Sequence, residues 1–354
     1  MSSANTEYYD ILTEYVNLQE IQNAIDSSGA GAFRFEEFIW DALSGNIRLD
    51  LNTILELAEQ TAFSGWNSWI TDIFQILGIA LIAAVFSNFS FSFKESNVSE
   101  TAFYVCYLIL YGILASTFYG AYEITADAVL HITDFMRILA PSYCIAIVFG
   151  TGATTSVVWY EAVLMLITLV ENIITIVVLP LIGVHMAVNL AGNISGENVL
   201  SKLCELIELL VSWCLKGLVG LMVGVSGIQS IVAPAVDRLN KTTLMKSVGS
   251  IPGIGNMITG VNETLLSAGI LLKDAFGTGG VIAIFAVSMI PIIRLAIYTM
   301  VYKLEAAVIQ PVSDRRIVAC ISTASKSCEL MLKAVFTSCM LFVIAIALVT
   351  YTTL

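Results

Sequence analysis

Charged residues are scarce in this 354-residue chain: they make up 12% of it, against 57% hydrophobic residues. Uncharged runs are therefore long, and mean hydropathy is +0.85. A helix needs roughly 17–25 apolar residues to cross a bilayer. Six runs meet this length: residues 73–91, 102–122, 157–178, 207–231, 281–301 and 334–351. The scarcity of charge excludes a soluble globular protein and predicts an all-α, polytopic membrane helical bundle.

Catalytic motifs are also lacking. The chain has no G-x-S-x-G, H-E-x-x-H, P-loop or kinase-type sequence, which are the patterns that usually mark acyl transfer, metal hydrolysis or phosphoryl transfer. The glycine-rich stretch that begins at Gly249 lacks G-x-G-x-x-G spacing and a preceding strand, so it does not indicate dinucleotide binding. We expect no enzymatic activity and no cofactor.

Histidine is rare, and the cysteines form no C-x-x-C pair. His131 and His185 lie far apart, so no multi-histidine metal site is expected. His185, Met186 and Asn189 follow Pro180 at one-turn spacing, which favours an orienting hydrogen bond over metal binding. The seven cysteines are interpreted as small buried hydrophobic residues.

Basic residues are nearly absent from the first 72 positions, which hold twelve acidic residues and two basic ones, Arg34 and Arg48. This acidity argues against nucleic acid as a partner. Residues 1–68 are predicted to form an acidic, soluble, extracytoplasmic segment of short amphipathic helices. One of these helices ends at Ser27-Ser28-Gly29, a second covers 36–43, and a third follows Asp50. The segment is either a lead-in without activity or a docking surface.

The membrane domain is predicted to cover residues 69–354. Three weaker apolar stretches, 138–149, 181–190 and 257–272, complicate its topology. Basic clusters near Arg238 and Arg315 mark two joints as cytosolic, which requires the stretch 257–272 to cross as well, and working backward from there the stretch 138–149 also crosses. We therefore predict eight crossings with both termini extracytoplasmic, and leave open whether 181–192 re-enters the membrane. The N-terminus is translocated either by 73–91 or by a signal peptide absent from this sequence.

An internal repeat is a further hypothesis. Phe-Gly-Thr-Gly occurs at 149–152 and 276–279, and Lys-x-Cys-Glu-Leu occurs at 202–206 and 326–330. With three crossings in each half, units 138–231 and 257–351 would form an inverted 3+3 repeat of the kind found in transporters.

Several polar side chains lie in or beside apolar runs, where such groups usually face protein or water. Glu161 and Glu171 share the run 157–178, Asn172 adjoins the second, and Arg294 is the expected counter-charge of Glu171. One interpretation is that these residues line a polar path. The alternative is that Glu161 simply lies at the membrane interface. Asn256, Asn262 and Glu263 belong to the glycine-rich stretch, which predicts either close helix packing or a pore-lining broken helix.

A shared P-x-x-D-R sequence follows two apolar runs, at Pro234 and at Pro311. Proline ends a helix and aspartate can cap the next one, so each copy is either topological punctuation or a contact for a cytosolic partner. The residues concerned are Asp237, Arg238, Asp314, Arg315 and Arg316.

The sequence resembles the stage III sporulation protein AE family of endospore-forming Firmicutes. The resemblance rests on Leu43-Ser-Gly45-Asn-Ile-Arg-Leu49, Val248-Gly-Ser-Ile-Pro-Gly-Ile-Gly-Asn256, Gly269-Ile-Leu-Leu-Lys273-Asp-Ala275, Tyr302-Lys-Leu-Glu-Ala-Ala307 and Gln310-Pro311-Val-Ser-Asp314-Arg315-Arg316. It covers most of the chain and is most specific in the C-terminal half. These are packing and turn motifs, not catalytic ones.

The resemblance implies a membrane component of the channel-like complex that joins mother cell and forespore. Implied partners are the other stage III A proteins and, on the opposite side, forespore membrane protein Q. The implied location of this chain is the mother-cell membrane that surrounds the forespore. The favoured function is a non-enzymatic pore or scaffold subunit. The alternative is a stand-alone secondary transporter that uses intramembrane carboxylates. Homo-oligomerisation is left open.

Overall fold

Helices make up nearly all of the chain that the structure describes. The structure is a computed structural model, and it describes residues 17–31, 33–44, 70, 71, 74, 78, 97–150, 153–195, 200–248, 255–311 and 315–352. Within helices, the side chains of residues 97–104, 106, 149, 150, 153–158, 194, 195, 226, 229–248, 255–268, 348, 349, 351 and 352 are not described. No strand occurs in these ranges. The described helices are α1 (Leu18–Ser27), α2 (Phe35–Leu43), α3 (Asn97–Gly150), α4 (Ala153–Asn172), α5 (Leu179–Ser195), α6 (Ser201–Val248), α7 (Gly255–Ile309) and α8 (Arg315–Thr352).

Four described stretches are long and apolar enough to cross a membrane: Trp159–Asn193, Ser201–Val225, Gly269–Ile309 and Arg315–Ala347. Each overlaps one of the runs predicted from sequence, which confirms the all-helical membrane class. The run 102–122 lies within α3. The run 73–91 lies outside the described residues except at positions 74 and 78.

The long helices pass through two joints that the eight-crossing prediction requires: α3 continues through 123–137, and α7 continues through 273–280. Residues 181–192 continue the helix that precedes them. α7 alone has 55 residues, about 82 Å at 1.5 Å per residue, whereas the hydrocarbon core is about 30 Å thick. The prediction placed a turn between two crossings where the structure has one helix. The count of eight crossings and the inverted repeat stay predictions.

Proline ends only one of the helices where a break was expected. α7 ends at Ile309 and Pro311 lies in the following turn, as predicted, but α6 continues past Pro234 to Val248. Before Pro180 the chain forms a π-helical segment, Ile173–Val178, that connects α4 to α5 without a break. A proline has no N–H to donate, and a local π segment is one way a membrane helix accommodates that loss.

α8 lies at the centre of the bundle, and α3, α5, α6 and α7 all pack against it. At the end near the α7–α8 joint, called here the Pro311 end, the Tyr107 hydroxyl donates to the Leu190 carbonyl at 2.6 Å and lies 2.9 Å from Cys320 Sγ. At the opposite end, called here the Thr350 end, Tyr143 and Thr350 hydroxyls lie 2.6 Å apart. Successive long helices therefore run antiparallel between these two ends.

Close packing at the Thr350 end explains the second Phe-Gly-Thr-Gly sequence. A Cβ on Gly280 would lie 2.7 Å from Leu139 Cδ2, and one on Gly279 would lie 3.1 Å from Phe35 Cε2. Because α7 is unbroken here, these contacts favour the close-packing interpretation of its glycines over a broken helix. Residues 249–254 lie outside the described part.

The N-terminal helices form close to their predicted positions. α1 ends at Ser27 and Gly29 has a φ of +85°, a conformation that favours glycine. Buried Gln22 connects α1 to α2, because its side chain accepts from Phe35 N at 2.8 Å and donates to Phe33 O at 3.0 Å. Phe35 then packs edge-on against Phe276 of α7, with ring centroids 5.8 Å apart. The described part of this segment thus docks on the membrane helices.

Candidate functional site

His185 on α5 is the innermost member of a polar network between the helices. Its side chain is only 1% exposed, and both ring nitrogens have partners. Nδ1 lies 3.2 Å from Ser327 Oγ of α8, while Nε2 lies 3.1 Å from Glu208 Oε1 of α6 and 3.1 Å from Asn189 Nδ2. The predicted orienting hydrogen bond at His185 is confirmed, with partners on two other helices.

From Glu208 the network continues to the surface through ion pairs. Lys326 Nζ lies 3.6 Å from Glu208 Oε2 and 3.6 Å from Glu329 Oε1. Glu329 also forms ion pairs with two other lysines. Lys333 Nζ lies 2.7 Å from its Oε1, and Lys303 Nζ of α7 lies 3.3 Å from its Oε2. We call Glu208, Lys303, Lys326, Glu329 and Lys333 the charged groove, since α8 forms its floor and α6 and α7 flank it.

All four candidate spans contribute to this network. The positions 326, 329 and 333 fall on one face of α8, because residues three and four apart are neighbours on a helix. Their exposed fractions are 38%, 24% and 50%. Ionisable groups inside membrane helices are costly and are functional candidates by default. The groove thus places five charges on a surface that hydrocarbon alone would solvate poorly.

The inner part of the network can hold a proton, because His185 and Glu208 are titratable and 3.1 Å apart, whereas Lys326 contacts Glu208 and Glu329 only as ion pairs at 3.6 Å. A neutral His185 can donate from Nε2 to the Glu208 carboxylate while Nδ1 accepts from the Ser327 hydroxyl. The Asn189 contact belongs to the other neutral tautomer, in which Nε2 accepts from Asn189 Nδ2 and Nδ1 donates to Ser327 Oγ. Within the described residues, no group of three or more His, Cys, Asp and Glu side chains could hold a metal ion.

A second ion pair connects α3 to α4. Arg137 bonds to Glu171, and it also contacts Asp134 at 3.0 Å. The sequence analysis had named Arg294 of α7 as the counter-charge of Glu171, and the structure gives that carboxylate a different partner. Arg137 and Glu171 are 34 positions apart in the sequence, so no local pattern predicts that they pair.

The other predicted site residues do not converge on one path. Glu161 and Asn172 are exposed on α4, and Arg294 is half-buried on α7. Arg315 is exposed and Arg316 half-buried at the start of α8. Asp314 lies outside the described residues, and so do the side chains of five further candidates: Asp237, Arg238, Asn256, Asn262 and Glu263.

Sequence reasoning missed the charged groove although one signal for it was present. Lys326 and Glu329 belong to the second copy of the Lys-x-Cys-Glu-Leu sequence, which was interpreted as a repeat marker and not as a site. Glu208 lies just after the first copy. No spacing rule connects these two positions, because their contact depends on how α6 packs against α8.

The comparisons with known proteins agree with the helical membrane architecture. The family model described as stage III sporulation protein AE matches residues 33–353. The chain belongs to the stage III sporulation protein AE family. A relative in Bacillus subtilis (strain 168), named stage III sporulation protein AE, is 25% identical over 237 residues. That alignment covers 67% of this chain but 59% of the relative. No solved structure matches.

The family assignment confirms the resemblance drawn from sequence motifs. It establishes a sporulation membrane protein, since the family match and the four apolar helices point the same way. The matched range includes α2 and every long helix. The charged groove and His185 therefore lie inside the family-defining part of the chain.

Proposed function

We propose that this chain is a non-enzymatic integral membrane subunit of a complex that joins mother cell and forespore during endospore development. The observation that carries the proposal is the polar network that crosses four membrane helices of a sporulation-family protein. A membrane protein that only anchors others has no need of five charges among its spans. By contrast, a subunit that borders a polar path or a partner within the membrane can use such charges there.

The proposed partners are those implied by the family resemblance: other stage III A proteins and forespore membrane protein Q. The proposed location is the mother-cell membrane that surrounds the forespore. The Pro311 end bears Arg315 and Arg316, and the positive-inside rule assigns such an end to the cytosol. The N-terminal helices at the Thr350 end would then face the intermembrane space, where a partner can reach them.

Deletion of the gene in its native sporulating host tests this role. We expect the deletion strain to complete engulfment and then stop, and the intact gene to restore spore formation. Purification in mild detergent from sporulating cells should recover other stage III A proteins with the chain. Normal spore yield from the deletion strain would contradict the proposal, as would a chain that never associates with any sporulation protein.

The alternative function is a secondary transporter, favoured specifically by the titratable series His185, Glu208 and Lys326. Purified protein in liposomes should then show ion- or solute-coupled flux without any partner. Replacement of Glu208 by Gln or Glu171 by Gln should abolish that flux. Absence of flux together with the sporulation arrest described above would leave the subunit role alone.

A further inference from the structure

A second charged face lies on α3, apart from the charged groove. Glu123 and Asp127 are exposed at one-turn spacing on this helix. Among the described residues no basic side chain lies within ion-pair distance of either carboxylate, and the nearest ion pair on α3 is that of Asp134 and Arg137. This face is therefore acidic, whereas the groove holds three lysines and two glutamates and is net positive.

Both faces need cover within the membrane. α3 runs beside α8 between two fixed contacts, Tyr107 with Cys320 and Tyr143 with Thr350, so Glu123 lies alongside the candidate span Arg315–Ala347. A charged side chain near the centre of a membrane helix costs about 2.5–3.5 kcal/mol on insertion scales. Exposed to lipid, each face would incur such a cost more than once.

Glu123 and Lys333, one from each face, lie at similar depths in the bundle. Glu123 is 16 residues past Tyr107 along α3, which is about 24 Å from the Pro311 end. Lys333 is 13 residues past Cys320 along α8, which is about 20 Å from the same end. The difference between these two distances is shorter than an extended lysine side chain. Lys303, whose helix neighbour Tyr302 donates to Thr117 Oγ1 of α3 at 2.6 Å, lies slightly nearer the Pro311 end.

We propose that a second copy of this chain covers the charged groove, with Glu123 of one copy facing Lys333 of the next and Asp127 lying one turn farther from the Pro311 end. Copies inserted in one membrane share their orientation, so a rotation about the membrane normal preserves depth and brings the two faces together. The contact joins two different surfaces, so it is heterologous and generates a ring when the rotation closes. The proposal does not depend on the sporulation role.

Charge reversal in pairs tests the contact. Two copies with different tags are produced in one membrane, and co-purification in mild detergent is measured. We expect Lys333→Glu or Glu123→Lys alone, placed in both copies, to lower co-purification at least tenfold, since like charges then face each other. Both changes in the same chain should restore it to within about threefold. Lys202→Glu, at a position 85% exposed outside the groove, is the matched control and should change nothing.

Cross-linking in intact membranes provides a readout that does not depend on detergent. A copy with Glu123→Cys and a differently tagged copy with Lys333→Cys should form a disulfide dimer on oxidation. Lys333→Cys paired with Met165→Cys, an exposed apolar position on α4, should not. The neutral variants Glu123→Gln and Lys333→Gln are controls for misfolding, because they remove a charge without introducing the opposite one. They should weaken co-purification less than the charge reversals.

Three results would overturn the proposal. The first is unchanged co-purification in both single reversals. The second is a loss that the double reversal fails to restore while the monomers remain folded by size-exclusion chromatography. The third is labelling of Lys333→Cys by a water-soluble thiol reagent with no disulfide to Glu123→Cys, which would show that the groove faces water or lipid headgroups instead.

Discussion

Two glutamates on α6, less than one turn apart, have very different surroundings. Glu208 contacts buried His185 and Lys326 of α8, whereas Glu205 is 64% exposed and contacts only Lys202. Replacing Glu208 by Leu removes the carboxylate contact of the buried imidazole and leaves Asn189 as the partner of Nε2. A hydrogen bond to a charged group contributes roughly 1.5–3 kcal/mol. We expect Glu208→Leu to lower the free energy of unfolding by that amount.

The matched control for this prediction is Glu205→Leu, because exposed ion pairs contribute about 0–1 kcal/mol. Unfolding of both variants in mild detergent, followed by tryptophan fluorescence, measures the difference. Equal losses in the two variants would show that Glu208 is no more than a surface residue.

Glu305 on α7 presents the opposite case. It is only 4% exposed, and its Oε1 has no hydrogen-bond partner among the described residues. Replacing an unsatisfied buried polar group by an apolar group of similar size is neutral or stabilising. We expect Glu305→Leu to raise the free energy of unfolding by about 1–3 kcal/mol, and Glu305→Gln, which keeps a polar group, to gain less.

Thermal unfolding of the purified variants in one detergent checks this expectation at Glu305. A destabilised Glu305→Leu would mean that the carboxyl has a partner in the folded protein. A stabilised variant that fails to support spore formation would instead assign the buried carboxyl a functional role.

At the residue scale, sequence reasoning found single residues but not their partners. His185 stood out because histidine is rare here and follows Pro180 at a fixed spacing. Its partner Ser327 is 142 positions away, and nothing in the local sequence selects that serine over the others in the chain. The same limit explains why Glu171 was assigned to Arg294 and not to Arg137.

Helix existence was predictable from sequence, whereas helix ends were not. Apolar runs fix where a chain must be helical in lipid, because only a helix satisfies its own backbone there. Proline and glycine were interpreted as breaks by the rules of soluble proteins. In this bundle the helix accommodates Pro141 and Pro291 in its interior. Among the prolines that the structure describes, Pro311 is the one that lies just past a helix end.

Gly280 is the element-scale test of how closely the helices approach. A Cβ there would lie 2.7 Å from Leu139 Cδ2 and 3.2 Å from Ile346 Cδ1, and both neighbours are fully buried. Overpacking of this kind typically costs 1–3 kcal/mol. We expect Gly280→Val to lower the free energy of unfolding by about that amount by separating α7 from α3 and α8.

Gly217 on α6 is the control for the glycine prediction, since a Cβ there would meet nothing within 4 Å. Gly217→Val should change stability by less than about 0.5 kcal/mol. Both variants are compared by unfolding in the same detergent. A tolerated Gly280→Val would mean that the three helices have room to separate without loss.

At the scale of the whole molecule, α8 determines which groups meet. Every long neighbour packs against it, and its single exposed stripe carries Lys326, Glu329 and Lys333. A central helix in lipid is expected to be apolar on all sides. The stripe is the exception, and it is where α6 and α7 leave α8 open. The arrangement of the bundle, more than any local motif, thus creates the charged groove.

The continuity of α6 and α7 makes a prediction about sidedness that differs from the sequence analysis. α6 runs unbroken from Ser201 to Val248, and α7 returns from Gly255 to Ile309. Each has far more residues than one crossing needs. Positions 241 and 315 should therefore lie on opposite sides of the membrane, whereas the eight-crossing topology places both in the cytosol.

Introduced cysteines decide between these two topologies. Lys241→Cys and Arg315→Cys are expressed separately, and intact cells are treated with a membrane-impermeant thiol reagent, with the parent chain labelled in parallel for its seven natural cysteines. We expect Lys241→Cys to react in intact cells and Arg315→Cys to react only after permeabilisation, because the basic Pro311 end is proposed to be cytosolic. Reaction of both positions only after permeabilisation would restore the extra crossing and require a turn within 255–280. Reaction of Arg315→Cys alone in intact cells would keep the continuous helices but invert the whole molecule.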